Sequence, residues 1–569
     1  MVGPAAGSGA LPAVLPSTAN LQGPFAPSSD SSWLGITSVS NGTVNYAVTA
    51  NPGPYPRTGN LTVLGQVIPV TQYAYPILAA STLVQGPAAG TSSIVMSCPG
   101  STWTASANAS WLHLSAANQS GFGSTNVVFT YDANPGATRT GTLTIGGDTL
   151  TVIQAGSAYV PTTAPAILID SGLTGPQGIA VDASGHLFIA DPVAGVIDEW
   201  SLGSSTATPI VSSGLSSPAG VAVDALGDLF IVDSGDNTLK EWIAGSNTLV
   251  TLVGSGLNAP SRVALDVFGN AYFTDANNNA VKKWLAASNI VITLVSSGLN
   301  VPRGIAVDAA GNVYIADTGN NAIKEWIAGS GAVITLVSSG LNAPRGLAVD
   351  VSGNVYIADS SDNAVKEWIA TTGTVVALPL TGLSNPRGVA VDASGDVFVA
   401  DTSNMAIKKL PYAFVDPTPI EIPAGVGFGA LPVILPNTQN LVSPYTPVSS
   451  RPWLYVGLVF NGQVNFAYPF NAGPTNRTGN ITVLGQSISI TQAAPPYIST
   501  VAKTGSTTFE LSFTNLDMSS TYSVLATTNL TSPLSNWTVL GTASNVGGVL
   551  QFIDPHPTNS ARFYMIRSP

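Results

Sequence analysis

Apolar residues in this chain come in short runs broken by Gly, Asn, Asp or Ser, and between residues 165 and 415 the runs are periodic. The pairs Gly172-Leu173, Gly214-Leu215, Gly256-Leu257, Gly298-Leu299, Gly340-Leu341 and Gly382-Leu383 recur every 42 residues without a gap. Within the fourth unit the apolar runs are Gly304–Val307, Val313–Ala316, Ala322–Trp326 and Val333–Val337. The pattern predicts a four-stranded antiparallel meander in each unit. Four strands in roughly 40–45 residues are the period of a propeller blade, and six blades make a ring without exposed sheet edges. Ile167–Asp170 matches the fourth-strand position Thr293–Ser296 and is expected to complete the ring. Thr418–Ile422 is the alternative.

The flanks repeat on a different pattern. Residues 9–72 and 429–492 align without a gap at an offset of 420. Trp33 falls on Trp453, Asn51 on Asn471, Arg57 on Arg477, Gly65-Gln66 on Gly485-Gln486, and Gln72 on Gln492. A divergent copy carries Trp103, Trp111, Asn134, Arg139, Gly141 and Gln154, and its run Arg139–Ile145 alternates like a half-buried strand. The tail alternates through Tyr522–Leu525 and Trp537–Leu540 and ends in Arg562–Arg567. The reading is all-β: a six-bladed β-propeller over 165–415, flanked by Ig-like sandwiches at 1–75, 76–157, 420–495 and 497–569.

Composition sharpens this picture. Charged residues are only 8% of the chain, against roughly 25% in ordinary globular proteins. That argues against coiled coils and helical bundles. Residues 165–415 hold 22 acids and 11 bases, and the rest of the chain 8 and 7. The net charge of -12 therefore sits mostly in the repeat region, and no basic cluster offsets it, so neither nucleic acid nor an anionic membrane is expected as partner. No apolar run reaches the ~18 residues of a membrane span. The single cysteine, Cys98, precludes an intrachain disulfide and reads as a small buried hydrophobe. Met1–Ala5 shows no basic segment followed by an apolar one, so a signal peptide is absent from this sequence or was removed. A secreted or cell-surface location is expected.

The repeat resembles the NHL family. The resemblance rests on Pro302-Arg303-Gly304-Ile305-Ala306-Val307-Asp308, Gly311-Asn312-Val313-Tyr314-Ile315-Ala316-Asp317 and Asn321-Ala322-Ile323-Lys324. Lys240, Lys282, Lys324, Lys366 and Lys408 stand where the family usually has Arg or Gln, and the first unit departs most, with Gly195 and Asp198. The resemblance implies a binding platform, although some relatives are lyases. The three flanking copies look like BACON domains, by their Trp-Leu strand, Asn turn, Arg-Thr-Gly and final Gln. The middle copy is nearest the pattern. That resemblance implies carbohydrate binding. The tail resembles the Ig- or fibronectin-like modules that end many exported bacterial proteins.

Candidate chemistry is sparse. One Asp ladder, Asp182, Asp224, Asp266, Asp308, Asp350 and Asp392, starts Asp-x-x-Gly turns; a second is Asp191, Asp233, Asp275, Asp317, Asp359 and Asp401. Both read as turn caps. Pairs such as Asp233/Asp236 and Asp359/Asp362 make calcium the one conceivable cofactor; none is otherwise expected, nor a metal. Arg303, Arg345 and Arg387 follow the repeat Pro on units four to six, whereas units one to three have Gln177, Ala219 and Ser261. Three guanidinium forks around a channel mouth, with Asp317, Asp359 and Asp401 on the same face, would suit carboxylate, sulfate or phosphate. The bland reading pairs each Arg with one of those Asp. Trp242, Trp284, Trp326 and Trp368 are either aromatic ligand contacts or interblade packing. His113, His186 and His556 fall in different domains, and no nucleophile elbow, phosphate loop or zinc motif occurs. The expected role is a noncatalytic binding or scaffold protein for glycans or extracellular protein partners. A propeller enzyme of lyase or lactonase type acting at the mouth and a structural matrix or adhesion protein are the alternatives.

Overall fold

The computed structural model describes residues 2, 5–51, 57–72, 76–98, 101–162, 165–439, 441–495, 497–503, 508–514, 522–546, 549–554 and 562–567. His556 lies outside them. The described chain is all-β apart from single 3-10 turns. It divides into two compact units, Met1–Phe414 with Val442–Tyr445, and Val415–Leu441 with Thr446–Pro569.

The first unit holds two sandwiches and the repeat region. The second sandwich packs a five-stranded sheet on a four-stranded one around Ile94, Met96, Phe129, Leu143 and Leu150. Cys98 lies fully buried in that core. The sequence motif shared by the sandwiches is a clamp. The Arg139 guanidinium lies 4.4 Å over the Trp111 ring. Its Nε donates to Gln154 Oε1 at 2.9 Å and its terminal nitrogen to the Asp132 carbonyl at 2.7 Å. Arg57 with Trp33 and Gln72, and Arg477 with Trp453 and Gln492, repeat it. Gly141 is needed because a Cβ there would stand 2.8 Å from the Trp111 ring. Trp, Arg and Gln therefore hold the sandwich together, and the tryptophans are not free platforms.

The repeat region forms a propeller-like set of six four-stranded antiparallel sheets. Sheets one to five take their four strands in chain order, as in Pro302–Val307, Val313–Asp317, Ala322–Trp326 and Val333–Val337 for sheet four. Sheet six takes three C-terminal strands and one from far upstream: Ala166–Ile169 pairs antiparallel with Ala406–Leu410. Ile420–Ile422, the rival for that place, pairs instead with Gln486–Gln492 in the third sandwich.

The first strands of the six sheets neighbour one another in order, and the last neighbours the first. They approach so closely that five of the six units carry glycine after the entry position. A Cβ on Gly220 would stand 2.8 Å from Arg262 Cα, and one on Gly346 2.7 Å from the Arg387 carbonyl oxygen. Gly388 faces Gln177 in the same way. Between sheets, apolar faces interlock: Tyr314, Ile323, Val337, Leu347, Val355 and Ile357 form one such core. The second sandwich docks where the first strand of sheet five ends. Val95 N–H donates to the Val351 carbonyl at 3.0 Å, and Ser93 Oγ to the Ser352 carbonyl at 2.7 Å. Arg345 stands near the opposite end of that strand, Pro344–Val349.

The second unit contains the third sandwich and the tail. The sandwich pairs a four-stranded sheet including Arg477–Val483 and Gln486–Gln492 with the three-stranded sheet of Gly427–Ala430, Gln463–Tyr468 and Tyr455–Phe460. The tail contributes a four-stranded and a three-stranded sheet around Leu511, Phe513, Val524 and Leu550.

Candidate functional site

The second Asp ladder is buried structure. Asp317 is fully buried. It accepts the Asn300 N–H at 2.6 Å, the Asn320 amide at 2.8 Å and Lys324 Nζ at 2.8 Å. Lys324 also donates to the Gly298 carbonyl of the incoming loop. Asp359 pairs with Lys366 at 2.5 Å and Asp401 with Lys408 at 2.9 Å. The lysine at the repeat position thus ties turn and loop together in every sheet except the first, where Asp198 replaces it. The aspartate pairs considered for calcium are filled by an ammonium: Lys240 meets Asp233 at 2.8 Å and Asp236 at 2.7 Å, and Lys366 meets Asp362 at 2.7 Å. Among the described residues, no group of three or more His, Cys, Asp or Glu is gathered.

The arginines are therefore left over. Arg303, Arg345 and Arg387 each begin the first strand of their sheet and are half-buried. The structure does not bring Asp317, Asp359 or Asp401 to them, since those carboxylates are taken by lysine and backbone. Among the described residues, no carboxylate lies within ion-pair distance of the three arginines. Arg345 Nε is buried with no hydrogen-bond partner. The Arg387 guanidinium meets the Asn385 side-chain oxygen, once that amide is turned to accept from Nε and a terminal nitrogen.

A fourth guanidinium joins them. Arg262 occupies the glycine position of unit three, where the others have Gly178, Gly220, Gly304, Gly346 and Gly388. It is 9% exposed. One terminal nitrogen donates to the Ala219 carbonyl at 2.5 Å and the Ser261 carbonyl at 3.0 Å. The other reaches the Arg387 carbonyl of sheet six at 3.0 Å, so this side chain crosses between sheets three and six. Its Nε is buried without a partner. Burial first, then the charges of Arg303, Arg345 and Arg387, pull Arg262 down to about 9. Burial, Arg387 and Arg303 pull Arg345 down to about 10. Arg387 is lowered by burial and Arg303. Arginine remains cationic at neutral pH, so these shifts express chiefly the cost of burying the guanidiniums, with the repulsion of neighbouring arginines second. The signal for Arg262 was readable: it breaks a glycine column, one residue beyond the arginine column.

The remaining candidates lie elsewhere. Trp326 pairs with Val313 at the far end of its sheet from Arg303. Trp242, Trp284, Trp326 and Trp368 each pack against an intersheet core, and Trp284 meets Phe230 of the preceding sheet at 6.1 Å between ring centroids. They take part in intersheet packing, Trp284 buried and the other three half-buried. His113 sits beside Asp132 at 3.1 Å and His186 beside Asp182 at 3.0 Å, with no nucleophile in contact. At the end of the sheets away from the arginines, burial and then Asp308 push Glu325 up to about 7. Burial and then Asp350 do the same to Glu367, also to about 7. On the third sandwich, Phe428 and Tyr455 flank Ala467 across the sheet and are 87% and 57% exposed.

Family models match two of the flanking copies and three of the repeats. Residues 26–73 and 101–155 match the BACON family, described as "Putative binding domain, N-terminal". Residues 299–326, 341–368 and 383–410 match the NHL repeat. The chain thus carries an N-terminal BACON pair and a region of NHL repeats. No curated protein sequence matches. Similar solved structures include a Bacteroides thetaiotaomicron protein of unknown function (14% identity, 59% of this chain, 96% of that chain, TM-score 0.40). A Xanthomonas campestris gluconolactonase gives 18%, 45%, 95% and 0.39. A catalytically inactive virginiamycin B lyase from Staphylococcus aureus, with quinupristin, gives 12%, 54%, 99% and 0.36. At identities and TM-scores this low, the likeness carries no argument about chemistry.

Proposed function

We propose that this chain is a noncatalytic binding protein of the cell exterior, whose six sheets form a closed six-bladed propeller taking an anionic ligand at the arginine end of its channel. The observation that carries the reading is the set of half-buried guanidiniums on neighbouring sheets with no carboxylate partner. Such charges are costly to hold in a low-dielectric setting unless an anion completes them. The same positive field opposes a cation on the axis. The domain architecture fits a multidomain binding or scaffold protein, and no described helix is long and apolar enough to cross a membrane. The exposed Phe428/Tyr455 pair offers the third sandwich a surface for a sugar ring or a protein partner. The test is retention of the full chain on acidic and neutral glycan columns, compared with the Arg303→Ala/Arg345→Ala/Arg387→Ala variant. Preference for acidic glycans that the triple variant loses supports the reading; equal retention of both proteins refutes it.

A propeller enzyme of lyase or lactonase type is the second reading, favoured by one feature. Glu325 and Glu367 titrate near neutral pH beside Asp308 and Asp350, as general acids do. Turnover of lactone substrates that Glu325→Gln and Glu367→Gln abolish would favour it over the binding role.

A further inference from the structure

Unit three departs from the repeat at two positions that meet in space. Arg262 replaces the column glycine, and Thr274 stands where the other units have Ala190, Val232, Ala316, Ala358 and Ala400. A side chain at the glycine position must hold the neighbouring strand off. The Thr274 hydroxyl fills the interval: it accepts the Arg262 N–H at 3.1 Å and donates to the Arg303 carbonyl at 2.7 Å. One residue thus puts a guanidinium into the crowded axis, and the other repairs the strand contact it disturbs. Arg262 lies one residue, about 3.3 Å, further along its strand than the arginine column, and its head reaches across to sheet six. It forms a cationic floor beneath the half-ring of Arg303, Arg345 and Arg387, with a buried Nε–H still unused.

Resting on the anion-binding reading above, we infer that Arg262 and the three rim arginines form one site for a compact tetrahedral oxyanion, a sulfate or phosphate group, free or at the end of a larger ligand. Donors arrive from four sheets around an axis. A planar carboxylate has two oxygens and one charge and serves such a set poorly. A tetrahedral group offers three or four oxygens and up to two charges. The ligand enters from the arginine end, because the Arg262 head blocks the axis below.

The test uses the full chain, with inorganic sulfate, inorganic phosphate and acetate titrated separately by calorimetry at matched ionic strength. Sulfate or phosphate is expected to bind at least about tenfold more tightly than acetate, and the stronger of the two identifies the source. Acetate binding as well as both overturns the tetrahedral assignment. Arg262→Gly/Thr274→Ala restores the repeat pattern and is expected to keep the far-UV circular dichroism while weakening oxyanion binding about tenfold or more. Arg262→Lys, which keeps charge but loses the fork, tests the same point if the double variant does not fold, and is expected to weaken binding several-fold. Unchanged affinity in the folded Arg262 variants overturns the role of Arg262 and leaves the rim-arginine reading standing. Absence of any anion binding to the wild-type chain overturns both.

Discussion

Asp198 is the one place where the lysine ladder is reversed, and its effect on stability can be worked out. Five sheets set a lysine against the buried second-ladder aspartate; the first sets Asp198, 4% exposed, against fully buried Asp191. Asp191 is held by the Thr174 N–H at 2.6 Å and hydroxyl at 2.7 Å. Burial, and then the Asp191 charge, push Asp198 from the ordinary 3.8 up to about 6. The folded protein therefore keeps a proton, between about pH 4 and 6, that the unfolded chain has released. Stability falls as pH rises through that window and levels off above it. Asp198→Asn removes the penalty. The gap corresponds to at most about 3 kcal/mol, and because the replacing amide must itself find hydrogen-bond partners in this buried place, the expected gain is about 1–2 kcal/mol. Wild type and variant should be equally stable near pH 4, and the variant more stable at pH 7. Urea unfolding followed by tryptophan fluorescence suits this, because Trp200, Trp242, Trp284, Trp326 and Trp368 sit in these sheets. Parallel curves at pH 4 and pH 7 would refute the reasoning. Asp198→Lys, which supplies the ladder's usual ion pair, should gain at least as much.

Three further outcomes follow from the same physics. Lys324→Met strips the cation from fully buried Asp317 and should destabilise the sheets by about 3 kcal/mol or more, read by urea unfolding; loss below ~1 kcal/mol would mean that the backbone donors suffice. Arg139→Ala should cost about 2 kcal/mol from its stacking and charge-assisted bonds, and a double-mutant cycle with Gln154→Ala should show coupling, since the two side chains bond directly. The Cys98 thiol, pushed up by burial, should resist Ellman's reagent in the native chain and react on unfolding; prompt native labelling would contradict its place in the core.

The sequence alone determined the strand pattern, the 42-residue period and the kinship of the flanking copies, because these are encoded locally. Strand alternation and turn chemistry are read residue by residue, and a repeat declares itself by self-comparison. It also singled out Arg303, Arg345 and Arg387, as the one column that differs between halves of the repeat. What it left open were partnerships. Asp317 read as a turn cap or a partner for Arg303, and only the packed sheet set Lys324, seven residues on, against the carboxylate. The tryptophans could be ligand contacts or interblade packing, and antiparallel pairing puts Trp326 at the opposite end of its sheet from Arg303. Arg262 and Thr274 were visible as two unrelated departures from a column. Their meeting, and the reach of Arg262 across to sheet six, depend on strands far apart in the chain lying side by side, a long-range arrangement that local periodicity does not contain.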